Sequence, residues 1–246
     1  MNDTPVFSQW LSVTENLVDC FGRLKPSALL YAIQDISGAH SDALGTDYQT
    51  LAKKDLFWAV IRTRVEISRL PRLGEKIRLT TWPMPTSRVA YPRAVAAFDE
   101  DDRELFRSVS LWVLMEGKSR NMVLPKNSGV EIMGSLTGLE LPTPQGLPAR
   151  LMPRSRSRSV CFTDLDRNSH MNNTRYLDWI YDLLPASFHG KHSIRELTLC
   201  YLNEAREGQE LMLSWDFPEE GSLQIDAHRR SEDKDERIFA AKILFD

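Results

Sequence analysis

The feature that most restricts the fold is an internal repeat, because the same order of predicted elements occurs twice along the 246 residues. In each half a helical segment is followed by a strand, a glycine-led strand and a hairpin with an acidic turn. The strand "LGEKIRLTTWP" at 73–83 has its counterpart in "EGQELMLSWDF" at 207–217, and the turn "DEDD" at 99–102 has its counterpart in "SEDKDE" at 231–236. A helix followed by a run of antiparallel strands, repeated once, predicts two α+β units.

The helical segments show matching signals in the two halves. Pro26 stands at a plausible helix start, and Gly45 can end that helix in the left-handed conformation. In the second half Asn172 or Asn173 can cap a helix that Pro185 ends. The apolar positions at helical spacing are Leu29, Ile33 and Ile36 in the first segment and Tyr176, Trp179, Ile180 and Leu183 in the second. One apolar stripe per half predicts that each helix lies on a sheet, and since each sheet has few strands, we expect the two sheets to join.

The clearest break in composition is "GSLTGLELPTPQGLPAR" at 134–150, where three glycines and three prolines interrupt any periodic pattern. Such a stretch is typical of a linker. We therefore predict an N-terminal half over 1–140, a linker over 141–150 and a C-terminal half over 151–246.

Composition restricts the class of protein. Hydrophobic residues make up 42 % and charged residues 26 % of the chain, and the formal charge of -3 gives no overall sign of nucleic-acid binding. The three cysteines lack the paired spacing of a zinc site or a disulfide framework, which favours a reducing cytosol. The start "MNDTPVFSQWLSV" has no signal-peptide pattern and no window reaches membrane-spanning length, so a cytoplasmic location is predicted.

A polar cluster, "TDLDRNSHMNN" at 163–173, precedes the second helix, and the first half has no histidine or asparagine at the corresponding place. Asp166, Asn168 and His170 alternate, so in an extended segment their side chains would share one side. A carboxylate, an imidazole and the N–H groups of a helix N-terminus are the parts that acyl transfer requires. Polar residues before a helix also serve as caps and turns, so spacing alone leaves both interpretations open.

A resemblance to a known family bears on this choice. "DLDRNSHMNNTRYLDWI" at 164–180 is similar to a motif of the acyl-acyl carrier protein thioesterases, which release fatty acids from acyl carrier protein in plant plastids and many bacteria. "LTLCYLNEAREGQEL" at 197–211 resembles the family too, as do segments of the first half: 39–45, 56–67 and 110–122. The resemblance implies an α+β, tandem hot-dog fold, with two long helices each wrapped by an antiparallel sheet and one active site at the interface.

Residue by residue, the resemblance places the family's catalytic aspartate, asparagine, histidine and glutamate at Asp166, Asn168, His170 and Glu204. The family often has a cysteine after the glutamate, and this chain has Ala205. A covalent route through a thiol at that position is therefore excluded.

The resemblance, combined with general chemistry, predicts direct hydrolysis by water. Glu204 would act as general base while Asn168 helps to hold the water. Asp166 would orient His170, which would polarise the thioester carbonyl or protonate the departing thiolate. Backbone N–H groups at the helix start would stabilise the oxyanion. These groups lie near Asn172 and Asn173.

Other features remain open to two interpretations. Arg154, Arg156 and Arg158 would share one face of a strand, either to guide an acidic acyl carrier protein or to protect a sheet edge, and the second is favoured. His40 is expected to be a cap or a satisfied surface histidine. The histidines lack metal-ligand spacing and no dinucleotide or phosphate motif occurs, so no metal or cofactor is predicted.

Partners and rival functions follow from the resemblance. An acyl carrier protein bearing an acyl-phosphopantetheine group is the predicted partner, a homodimer is possible, and neither nucleic acid nor a membrane span is expected. A thioesterase for acyl-coenzyme A would use the same residues, whereas a hydratase fits Asn168 and Glu204 less well. A non-catalytic acyl-binding protein is the alternative from a different functional class.

Overall fold

A computed structural model of the chain describes residues 5–137, 141–231 and 234–246. The chain divides into two compact units, and the division falls between Pro144 and Gln145. This point lies within the segment 141–150, for which the sequence predicts a linker. The exact bounds of the two halves remain a prediction.

The first unit is built on an antiparallel sheet. Its strands are β1 (Phe7–Ser12), β2 (Leu56–Ile67), β3 (Lys76–Pro83), β4 (Tyr91–Phe98), β5 (Glu104–Glu116) and β6 (Met122–Val123). Its helices are α1 (Pro26–Ala43), α2 (Tyr48–Ala52) and α3 (Pro125–Ser128). The strand order is β1-β3-β4-β5-β2, and β6 pairs with β5.

Helix α1 has the start, the end and the buried face that the sequence predicts. Pro26 occupies its first turn, where a missing N–H costs nothing. Gly45 follows the helix with a φ of 70°, and its N–H donates to the Asp42 carbonyl at 3.1 Å. The helix packs against β1, β3 and β4. The predicted apolar positions are all at most 2 % exposed: Leu29, Ile33 and Ile36.

The second unit repeats this arrangement. Its strands are β7 (Arg154–Ser159), β8 (Ile194–Tyr201), β9 (Glu210–Glu219), β10 (Ser222–Ser231) and β11 (Lys234–Phe245). Its helices are α4 (Arg175–Tyr181) and α5 (Ala186–His189). The strand order β8-β11-β10-β9-β7 is the order of the first unit read from the other end, with β7 in the place of β1.

The helix of the second unit is shorter than the sequence analysis predicted. Helix α4 has seven residues, against eighteen in α1, and Leu183 falls in the turn that follows it. Pro185 ends the helical stretch because it has no N–H and disfavours helical geometry at the residue before it. The ring of Tyr176 stacks on Phe239 of β11 with centroids 4.4 Å apart, so the short helix still lies on its sheet.

The two hairpins differ in how far their strands extend toward the turn. The first turns at the predicted acidic residues, where the Asp99 N–H donates to the Arg103 carbonyl at 3.0 Å. In the second, Arg229 pairs with Glu236 and the strands continue into the predicted turn, of which residues 232–233 lie outside the described part of the chain. Opposite charges on directly paired positions stabilise such an extension of the ladder.

The prediction of a surface location for His40 was wrong. This residue is fully buried, its ring stacks on Phe7 at 5.5 Å, and its Nδ1 lies 2.9 Å from Nη1 of Arg93. Burial lowers the pKa of Arg93 to about 10. His40 therefore belongs to the core of the first unit.

Candidate active site

The polar segment before α4 is a tight loop, and not the extended strand that the sequence analysis considered. Leu165 and Met171 form an isolated antiparallel bridge, and between them the Asp166 N–H donates to the His170 carbonyl at 2.8 Å. Ser169 has a left-handed φ of 61°. Hydrogen bonds across the loop, rather than strand periodicity, therefore set the positions of its side chains.

The carboxylate of Asp166 holds this loop from inside. Its Oδ1 accepts the backbone N–H of Asn168 at 2.8 Å and that of His170 at 3.2 Å, and Oδ2 lies 3.4 Å from the Asn168 amide nitrogen. A short acidic side chain that accepts backbone N–H groups further along the chain is a common way to close a tight turn. Asp166 therefore positions His170 through the backbone.

Glu204 lies on a second loop, between β8 and β9, that is joined to the first. The Met171 N–H donates to the Ala205 carbonyl at 2.8 Å, which links the residue after His170 to the residue after Glu204. Nε2 of His170 lies 3.1 Å from Oε2 of Glu204. The His170 side chain is 13 % exposed and the Glu204 side chain 42 % exposed, so the pair is reached from solvent on the carboxylate side.

One residue that the sequence analysis did not select, Asp164, fixes the start of the first loop. It is 2 % exposed, and its carboxylate accepts hydrogen bonds from Trp179 Nε1 at 3.3 Å, Arg175 Nε at 3.3 Å and the Cys161 N–H at 3.0 Å. A buried carboxylate needs such donors to offset the loss of water. The spacing of Cys161 and Asp164, which matches a capping box, is the signal that indicates this role.

Backbone N–H groups near Asn172 and Asn173 were expected to stabilise the oxyanion. The Asn172 N–H donates to the Asp164 carbonyl at 2.8 Å and is therefore already engaged. Its side-chain oxygen accepts the N–H of Thr174 at 3.0 Å and the Thr174 hydroxyl at 2.9 Å. Asn172 thus caps the turn that leads into α4, which begins at Arg175.

Two arginines of β7, Arg156 and Arg158, cover the end of α4. Arg158 Nη1 pairs with Asp182 Oδ2 at 2.7 Å, and the Arg158 guanidinium lies 4.7 Å from the Trp179 ring centroid. Arg156 Nη1 lies 3.4 Å from the Asp182 carbonyl oxygen, at the C-terminus of the helix where a cation is favourable. β7 is the last strand in the order of the sheet. These contacts give the arginines a structural role beside either interpretation of the sequence.

The first unit contains a loop with the same hydrogen bonds. Oδ1 of Asp19 accepts the N–H of Phe21 at 2.9 Å and that of Arg23 at 3.0 Å, and the Asp19 N–H donates to the Arg23 carbonyl at 2.7 Å. Loop 19–23 therefore repeats the backbone of loop 166–170. In place of an imidazole, Arg23 presents a guanidinium, which pairs with the Asp19 carboxylate at 3.0 Å.

The loop that carries Glu204 also has a counterpart in the first unit. The Leu24 N–H donates to the Pro71 carbonyl at 2.8 Å, as the equivalent groups do in the second unit. Leu70 therefore stands at the position of Glu204. The first unit keeps the framework of the candidate site without its acid–base groups, since Phe21 replaces Asn168, Arg23 replaces His170 and Leu70 replaces Glu204.

Among the described residues, no group of three or more His, Cys, Asp or Glu is placed to hold a metal ion. No helix in that part of the chain has both the length and the apolar character to span a bilayer. None of the three cysteines forms a disulfide, and Cys200 is buried.

Comparison with known proteins first defines the fold. A solved acyl-ACP thioesterase from Bacteroides thetaiotaomicron is 23 % identical and superposes with a TM-score of 0.86 over 98 % of both chains. The chain therefore has the tandem hot-dog fold, as the resemblance implied. Residues 5–127 match the family model of the acyl-ACP thioesterase N-terminal domain, and residues 153–246 match that of the acyl-ACP thioesterase C-terminal domain. Because these two matches cover most of its length, the chain belongs to the acyl-ACP thioesterase family.

Curated relatives carry names that agree with this family. A chloroplastic dodecanoyl-acyl-carrier-protein hydrolase from Umbellularia californica is 28 % identical over 183 residues, which is 68 % of this chain and 46 % of that protein. A chloroplastic palmitoyl-acyl carrier protein thioesterase from Gossypium hirsutum is 26 % identical over 226 residues, which is 83 % of this chain and 53 % of that protein. The chain spans about half the length of the curated relatives it matches.

Proposed function

We propose that this protein hydrolyses the thioester of acyl-acyl carrier protein and releases a free fatty acid. The observation that carries the proposal is the contact of 3.1 Å between Nε2 of His170 and Oε2 of Glu204, on two loops that a backbone hydrogen bond joins. Membership of the acyl-ACP thioesterase family supports the choice of reaction. The names of the relatives support acyl carrier protein as the carrier.

The reaction consumes one water molecule. The water oxygen attacks the thioester carbonyl carbon while a side chain removes one of its protons, and a tetrahedral oxyanion forms. When the intermediate collapses, the carbon–sulfur bond breaks and the proton passes to the departing pantetheine sulfur. The products are a fatty acid and a free thiol on the carrier, so this scheme requires no co-reactant other than water.

We assign the proton transfers to His170 and the orientation of its ring to Glu204. An unperturbed imidazole gains and loses a proton near neutral pH, which suits a group that must do both within one turnover. A carboxylate beside the ring stabilises the imidazolium that forms. The sequence analysis gave the base role to Glu204, and the direct contact between the two side chains is our reason to exchange the roles.

Asp166 and Asn168 complete the proposed site. Asp166 holds the loop through backbone N–H groups, and Asn168 lies on the same loop with its amide near that carboxylate. Asn168 is exposed and can present its amide to the attacking water or to the substrate. With Ala205 buried beside Glu204, no thiol nucleophile is available at that position.

The proposal is tested by steady-state hydrolysis of a panel of acyl-acyl carrier proteins and the matching acyl-coenzymes A, from short to long chains. We expect the carrier-protein esters to be preferred. We expect His170→Ala to lower kcat/KM by about a hundredfold to ten-thousandfold, the usual range for loss of a general acid–base group. His192→Ala, in the same unit but outside the two loops, serves as the matched control.

The possible results separate the candidate functions. Preference for the coenzyme A esters would assign the alternative substrate class to the same residues. Binding of acyl groups without hydrolysis would favour the non-catalytic alternative. Equal activity of the unaltered chain and His170→Ala would contradict the site assignment.

We further infer a cytoplasmic location and acyl carrier protein as the binding partner. The three cysteines are few and lack the paired spacing of a disulfide framework, which supports a reducing compartment. Cell fractionation tests the location, and sedimentation of the purified chain tests whether a homodimer forms.

A further inference from the structure

The loop that carries Glu204 is held by a residue from a different strand. Arg229 of β10 donates from Nη1 to the backbone carbonyl of Glu204 at 3.2 Å and to the side-chain oxygen of Gln209 at 2.7 Å. Its Nη2 forms an ion pair with Glu236 of β11. The fork of the guanidinium therefore joins the loop to the β10–β11 hairpin.

Gln209 connects Arg229 to further residues of the loop. The same side-chain oxygen also accepts the Arg206 N–H at 2.9 Å, and the Gln209 carbonyl accepts the Val160 N–H at 2.9 Å. The loop is thus fixed at both ends of the segment that follows Glu204. Glu204 itself is exposed, so its position next to His170 depends on the backbone beneath it.

The first unit shows how the same loop is held where no glutamate needs to be placed. There Arg69 pairs with Glu75 at 2.9 Å and with Asp99 at 3.7 Å. The N–H of Arg69 donates to a β5 carbonyl at 3.1 Å, as the N–H of Asn203 does to the equivalent carbonyl of β11. The cation therefore comes from the loop itself in the first unit.

In the second unit the positive charge of this contact lies on the strand and not on the loop. Asp99 and Arg229 occupy equivalent positions in the two hairpins. Each lies two residues after the alanine at which the register of the strand pairing shifts, Ala97 in the first unit and Ala227 in the second. Asn203 replaces the arginine of the loop, and Gln209 stands at the position of Glu75. The second unit thus supplies the cation from the strand and leaves Glu204 as the acidic side chain of that loop nearest to His170.

We propose that Arg229, acting through Gln209 and the Glu204 carbonyl, is the positioning residue that sets Glu204 against His170. A hydrogen bond from a guanidinium to a carbonyl or amide oxygen is stronger than one between neutral groups, so it can fix an exposed loop. The proposal rests on the proposed function only where turnover is measured, because the order of the loop can be measured separately.

The first measurement is hydrogen–deuterium exchange of the intact chain and of Arg229→Met. We expect exchange in peptides covering 202–209 to become at least about tenfold faster, because two bonds from a charged donor are lost. Peptides covering 68–75, the equivalent loop of the first unit, should not change. Arg230→Met, an exposed neighbour on the same strand, is the matched control and should leave both loops unchanged.

The second measurement is hydrolysis by the same variants. Arg229→Met should lower kcat by about tenfold to a hundredfold, since a small displacement of an acid–base group has effects of this size, with KM changed by less than about threefold. Arg229→Lys should restore part of kcat because one charged donor remains. Arg69→Met should speed exchange at 68–75 and leave kcat unchanged.

Three results would overturn the proposal. One is unchanged exchange at 202–209 in Arg229→Met. Another is a fall in the melting temperature of Arg229→Met without a change in its kcat. The third concerns Gln209→Leu, which removes the acceptor of Arg229 and keeps the pair between Arg229 and Glu236. This variant serves if Arg229→Met does not fold. Normal exchange at 202–209 together with normal kcat in Gln209→Leu would contradict the positioning role of Arg229. If the unaltered chain hydrolyses no thioester, the proposed function fails, and the exchange data alone decide whether Arg229 positions the loop.

Discussion

Asp19 and Asp166 perform the same task in the two units, because each carboxylate accepts the backbone N–H groups of the residues two and four positions further on. Only the second loop carries a histidine, at the position of Arg23. The loop geometry therefore exists without the acid–base groups. The chain contains its own control for separating what the loop needs in order to fold from what the proposed reaction needs.

Paired substitutions of these aspartates test that separation. Asp19→Ala and Asp166→Ala should each lower the free energy of unfolding by about 1–3 kcal/mol, since each leaves backbone N–H groups without their carboxylate. Only Asp166→Ala should lower hydrolysis. Urea unfolding and kcat/KM measure the two effects, and an equal loss of activity in Asp19→Ala at a temperature where it is folded would contradict the prediction.

The left-handed residue of each loop gives a second paired prediction. Gly22 has a φ of 71° and Ser169 a φ of 61°, and a side chain has open space at Gly22. Gly22→Ser should therefore cost about 1 kcal/mol from backbone strain alone. Ser169→Gly should raise the free energy of unfolding by about 0.5 kcal/mol, because relief of strain exceeds the added entropy of the unfolded chain. Thermal unfolding measures both, and a destabilised Ser169→Gly would indicate that the serine side chain has a further role.

Substitution of Glu204 tests the division of roles with His170. If Glu204 orients and charges the imidazole, Glu204→Gln should lower kcat by about tenfold to a hundredfold and retain a measurable rate. The measurement is single-turnover hydrolysis. Complete loss of the chemical step would return the base role to Glu204.

The buried carboxylate of Asp164 gives a prediction about stability. Asp164→Leu introduces the residue that stands at the equivalent position of the first unit, Leu17. It leaves Nε of Arg175, Nε1 of Trp179 and the Cys161 N–H without their acceptor, while Nη1 of Arg175 keeps Asp178. We expect the free energy of unfolding to fall by about 2–4 kcal/mol.

The control for this prediction is Asp178→Ala, which removes a partly exposed pair with Arg175. It should cost less than about 1 kcal/mol. Equal effects of the two substitutions in urea unfolding would show that burial of Asp164 is not what matters.

Much of the fold was predictable because it depends on local patterns. Proline and glycine marked the ends of α1, and the spacing of Leu29, Ile33 and Ile36 indicated its buried face. Acidic residues marked the first hairpin turn. Each of these signals acts within a few residues of the chain, which is why the order of elements and their repetition were visible in the sequence.

The predictions that failed depended on tertiary contacts. His40 reads as polar in the sequence, yet it is buried against Arg93. The alternation of polar residues at 166–170 was considered for an extended segment, whereas the bridge between Leu165 and Met171 makes a tight loop. Polarity and periodicity report what a side chain prefers, and cannot report which distant group will satisfy it.

The sequence by itself determined that the chain has two related halves and that only the second carries the complete set of aspartate, asparagine, histidine and glutamate of the candidate site. The tertiary structure decided that His170 and Glu204 meet, that Asp164 fixes the loop start, and that Arg229 supports the second loop. The physical reason is that these contacts form between side chains, or between a side chain and the backbone, once folding has brought the loops together. The contacts of Glu204 with His170 and with Arg229 join residues far apart in the chain, and no local pattern encodes them.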